Sequence, residues 1–226
     1  ATFDIIDPTG FANWTGSSTD TTTPTQAPPP SGNTGNLADK IKNAKILLYE
    51  DTVYDGLWVQ SALDQANIPY YTTKDLVGRF MENLTNGQYW DLIIVAAEGK
   101  SVVSGEFWPI IEQHLDKNTA LIAEMWTLDM FHGGKVKGLL QRCGVEYQKN
   151  WDLAESLYWL VPQHEVFQSP NSGFSLVNYN RYWLAQAGDL MELAPGSNAT
   201  MLVGTKQNQP SSYGTVATCI DGRVIL

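Results

Sequence analysis

Between residues 44 and 150, short apolar runs alternate with stretches whose apolar positions recur every three or four residues. Lys45-Ile46-Leu47-Leu48-Tyr49 is a run of strand length. Residues 53–66 then repeat at Leu57, Val59, Ala62, Leu63 and Ala66, the spacing of one helix face. Residues 69–72 predict a short second strand, and Leu76, Phe80 and Leu84 mark the next helix. Asp91 followed by Leu92-Ile93-Ile94-Val95-Ala96-Ala97 is the clearest buried strand. Residues 107–115 read as helix, 120–125 as strand, and 135–142 as a short helix stopped by Gly144. Val145-Glu146-Tyr147 predicts a fifth strand. Continuous apolar strands alternating with helices predict a parallel sheet covered on both faces.

The pattern changes on either side of this region. Residues 151–226 carry many aromatics and short β-like runs at 157–160, 200–205 and 215–220. Asp221-Gly222-Arg223 reads as a turn between two apolar strands. The second of these, Val224-Ile225-Leu226, breaks off in mid-strand, which predicts a longer natural chain or an edge completed by another chain. At the other end, residues 1–16 hold Phe3, Ile5, Ile6, Phe11 and Trp14, an apolar set expected to dock on this domain or on a neighbour. Residues 17–36 are Thr-, Ser- and Pro-rich and cannot bury a core. Pro28-Pro29-Pro30 predicts an extended linker. Three parts follow: a docking segment (1–16), a linker (17–36) and an α/β domain (37–226).

The 226 residues, 43% hydrophobic, suffice for one sizeable core. A formal net charge of -10 argues against nucleic acid and against attraction to anionic lipid. No stretch approaches the roughly 18 apolar residues of a membrane span. A chain beginning at Ala1, with a Thr/Pro tract like those of O-glycosylated stalks, fits an exported cell-surface or envelope protein. Glycosylation is expected at Asn13, Thr21, Thr22, Thr23 or Thr25. Asn83-Leu84-Thr85 and Asn198-Ala199-Thr200 are further formal acceptor tripeptides, without supporting context. Cys143 and Cys219 are too far apart for a CxxC motif. They either pair, as an oxidising setting allows, or remain buried thiols.

Residues 44–51 (AKILLYED), 90–99 (WDLIIVAAEG), 162–167 with 169–171, and 214–225 (GTVATCIDGRVI) together resemble the class I glutamine amidotransferase-like superfamily, near its ThuA-like members. Residues 44–51 are similar to its first strand, and residues 90–99 to its third strand and turn. Pro162-Gln163-His164-Glu165-Val166-Phe167 with Ser169-Pro170-Asn171 resembles a His-Pro-hydrophobic passage. Residues 214–225 resemble the closing hairpin. The resemblance implies a three-layer, flavodoxin-like α/β domain with a mostly parallel sheet and a C-terminal β-rich portion. It implies no activity, because the fold hosts many. Active members carry a Gly-x-Cys-x-Gly elbow where this chain reads Ala123-Glu124-Met125-Trp126-Thr127. Their His-x-Glu pair has no clear counterpart, since His164 and Glu165 are adjacent and would point apart on a strand.

The chemistry that remains is sparse. Glu50, Asp51, Glu98 and Glu124 fall at predicted strand C-termini, where open α/β sheets bind ligands. If the chain is an enzyme, Glu98 and Glu124 with His132 or His164 are its candidate acids and bases, in the manner of a carbohydrate-active hydrolase or isomerase. Asp129 and His132 stand three apart and could share a helical turn, but no two of His114, His132 and His164 have metal-ligand spacing. Gly99-Lys100-Ser101 lacks the upstream glycines of a phosphate loop, and Gly133-Gly134-Lys135 is a weak anion signal at a helix start. Tyr158, Trp159, Tyr179, Tyr182 and Trp183 fit a core, a protein interface or a sugar-binding surface. No cofactor and no metal is expected. The leading expectation is a non-catalytic structural or binding domain that meets a protein partner or its own copies. Carbohydrate is a further possible ligand, and nucleic acid is not.

Overall fold

The computed structural model describes residues 37–51, 57–97, 105–125, 127–150, 156–168, 176 and 188–226. Residues 1–16 and 17–36, with the expected docking and linker roles, lie outside the described residues, as do Glu98, Trp126, Tyr179, Tyr182 and Trp183.

The described chain runs α1 (Leu37–Asn43), β1 (Ile46–Glu50), α2 (Trp58–Gln65), β2 (Tyr71–Thr72), α3 (Val77–Thr85), β3 (Leu92–Ala97), α4 (Trp108–Leu115), β4 (Ala120–Met125), α5 (Leu128–Phe131), α6 (Lys137–Cys143) and β5 (Val145–Lys149). It continues through β6 (Tyr158–Trp159), a 3-10 turn (Glu165–Phe167), β7 (Leu190–Leu193), β8 (Thr200–Gly204), β9 (Gly214–Cys219) and β10 (Val224–Ile225). One sheet takes all ten strands, in the order β2-β1-β3-β4-β10-β9-β7-β5, with β8 on β9 and β6 on β8. The first five run parallel, and the remaining pairings are antiparallel. With β10 counted as the fifth strand, the parallel half has the flavodoxin order 2-1-3-4-5.

Two sequence expectations are corrected here. Val145-Glu146-Tyr147 does not extend the parallel run. β5 lies at the far edge, antiparallel to β7, and is only partly covered, as an antiparallel edge strand can be. The last apolar run is not an open edge either, since β10 pairs with both β4 and β9.

The larger core lies on one face of the sheet. Leu47, Tyr49, Ile93, Val95, Leu121 and Ala123 meet Phe80 and Leu84 of α3, Trp108, Ile111 and Leu115 of α4, and Leu139 and Leu140 of α6. Phe80 and Phe107 pack edge to face at 5.2 Å beside Tyr49. On the opposite face, Leu63 of α2 closes over Ile46, Leu48 and Ile94. Farther along, Phe167 and Trp159 cover Leu202 and Val203 of β8. Between these two covers the sheet is not closed as expected: Ile122 is 39% exposed and Glu124 beside it is exposed. Cys143, at the end of α6, is bonded to Cys219 of β9, 76 residues away, and ties helix to sheet.

Candidate functional site

Open α/β sheets bind ligands beyond the C-terminal ends of their parallel strands, at the point where the strand order reverses. In this sheet that point lies between β1 and β3. Glu50, Ala96 and Glu124 are in register across β1, β3 and β4, so all three project to the α2 face. Two strand spacings put the backbones of the two glutamates about 10 Å apart.

The two carboxylates have different work. Glu50 is only 3% exposed. Its Oε1 accepts the Val59 N–H at 2.7 Å and its Oε2 the Gln60 N–H at 2.9 Å. Leu57 precedes α2 and offers no side-chain cap, so the strand-end carboxylate satisfies the free donors of the first turn and meets the positive end of the helix. The expectation that Glu50 lines a ligand pocket is therefore corrected: it is a helix cap, and it fills the place where an external anion would sit. Asp51 is buried as well, and its N–H donates to the Ala96 carbonyl at 3.2 Å. Glu124 is exposed. Glu98 and Gly99-Lys100-Ser101 lie outside the described residues.

Past the end of β4 a second polar group gathers. Asp129 and His132 do share the single turn of α5, as their spacing predicts, with His132 as its C-terminal cap residue. Each faces its own partner. Asp189, just before β7, accepts the Asp129 N–H at 2.6 Å, and Asn150 donates to the Asp129 carboxylate at 3.1 Å. The His132 ring stacks on Tyr147 with centroids 4.6 Å apart. Burial, then the nearby Asp189 and Asp129 charges, hold the Tyr147 phenol above its ordinary pKa. Asp189 and Tyr147 were not singled out in the sequence, although Gly188-Asp189 ahead of an apolar run is a usable strand-entry signal. The group fastens α5 between β5 and β7, and among the described residues no three His, Cys, Asp or Glu side chains are arranged to hold a metal.

The remaining histidines are elsewhere. His114 is buried in α4, where its Nε2 pairs at 2.9 Å with the Leu84 carbonyl in the last turn of α3. His164 does not stand on a strand. It precedes the 3-10 turn, and its Nδ1 accepts the Val166 N–H at 3.3 Å. Gly133 and Gly134 fall in turns, and α6 opens only at Lys137.

An open cavity of about 740 Å³ lies at the opposite end of the parallel strands. His164, Ser197, Asn198, Thr218 and Asp221 line it, together with the bonded Cys143 and Cys219. Of the candidate acids and bases among the described residues, only His164 lines this cavity.

No protein-family model and no curated protein matches the chain. Its structure is similar to the crystal structure of a glutamine amidotransferase from Thermotoga maritima, at 11% identity and a TM-score of 0.50 over 80% of this chain and 73% of that one. The likeness is one of architecture: this chain has a class I glutamine amidotransferase-like, flavodoxin-like α/β fold.

Proposed function

We propose that the chain is a non-catalytic structural or binding domain of an exported cell-surface or envelope assembly, docked to a partner through residues 1–16. One observation carries most of this reading. The 226 residues contain two cysteines, and the disulfide uses both. While that bond stands, none of these residues supplies the thiolate that the chemistry of a cysteine-dependent amidotransferase needs. A disulfide also fits an oxidising compartment. The capping role of Glu50 removes one more acid–base group. Apolar surface at Ile122 and the aliphatic–aromatic set of residues 1–16 support contact with a partner.

Ammonia release from glutamine tests the non-catalytic part. The oxidised protein, assayed without reductant, is expected to match the buffer blank. Turnover by the oxidised protein would overturn the reading.

A further inference from the structure

We propose that Asn198 is the acceptor for an N-linked oligosaccharide, an inference that rests on the export reading above. Asn198-Ala199-Thr200 is one of two acceptor tripeptides among the described residues, and the structure separates them. Asn83 lies on α3, half-buried, with its Nδ2 donating at 2.8 Å to the Arg79 carbonyl one turn earlier. That amide nitrogen is already engaged with the helix backbone. Asn198 has the opposite setting. It sits in the exposed connection between β7 and β8, after the Pro195-Gly196 turn. Neighbouring Ser197 braces the backbone by accepting the Ala199 N–H at 3.0 Å. Thr200, the third residue of the tripeptide, opens β8 and is only partly covered.

Space and polarity beside Asn198 fit a sugar. Asn198 is on the wall of the 740 Å³ cavity, with His164, Ser197, Thr218 and Asp221 around it. These side chains mix donors and acceptors, as a polyhydroxylated ligand requires. His164 is suited to donate, because its Nδ1 already accepts from Val166 and leaves Nε2 to carry the proton.

The reaction is a redox-neutral transfer. Asn198 Nδ2 forms a bond to the anomeric carbon of an oligosaccharide activated as a lipid-linked pyrophosphate. The bond from that carbon to the pyrophosphate oxygen breaks, the oxygen keeps the electron pair, and Nδ2 gives up one proton.

Peptide mapping by mass spectrometry, on protein from its source prepared without reductant, is the test. The peptide holding Asn198 is expected to carry hexose or N-acetylhexosamine mass that Asn198→Gln abolishes, and the peptide holding Asn83 is expected to be bare. A bare Asn198 peptide in exported protein with the Cys143–Cys219 bond formed would overturn this inference and leave the export reading standing. Protein found only inside the cell with both cysteines reduced would overturn the export reading and this inference with it.

Discussion

Glu50 shows how far a residue can be read without its surroundings. From the sequence it is a carboxylate at the end of an apolar strand, which makes it a ligand candidate. In the fold it is spent on two N–H groups of α2. Nothing local encodes this, because the helix start must fold back over β1 before the partners meet. The capping account predicts that Glu50→Ala costs roughly 1–3 kcal/mol, from two lost charge-assisted bonds at a buried helix end. Urea unfolding checks it, and an unchanged midpoint would contradict the capping role. Gly144 was the opposite case. A glycine after a short amphipathic run predicts a left-handed C-terminal cap, and its φ of 64° supplies one. His114 gave no signal of its work, since bracing the end of α3 depends on a contact 30 residues away in sequence.

At the scale of elements, legibility followed burial. β1, β3 and β4 were visible because central parallel strands are apolar throughout or nearly so. β5 was visible as a strand but not in its direction. Its partner β7 is four residues long, includes Glu192, and follows a region without periodicity, so the antiparallel pairing had no sequence mark. The one-turn α5 is too short for periodicity to reveal. Between α6 and β9, the sequence offered a disulfide or two thiols, and the fold brings the two Cα atoms within 5.2 Å. Constraining a 76-residue separation is worth about 4 kcal/mol in the chain-entropy account. Replacing both cysteines with alanine should therefore lower the unfolding free energy by roughly that amount. A loss below about 1 kcal/mol, measured by urea denaturation without reductant, would mean that packing alone holds α6 on the sheet.

For the whole molecule, the proposed function is that of a fold used for what it holds rather than for what it turns over. The sheet has the strand order of a ligand-binding α/β domain, yet its switch-point carboxylate caps a helix and both of its cysteines form a structural bond. A net charge of -10 points away from nucleic acid and anionic membrane. Residues 1–16 carry the strongest apolar signal outside the domain. The most direct test is native mass spectrometry of protein from its source, kept free of reductant. The account predicts a discrete assembly, either a multiple of the 25.0 kDa chain or a complex with a second protein, that falls apart when residues 1–16 are removed while the domain stays folded. A single unpartnered chain at working concentration, or an assembly that survives that deletion, would contradict it.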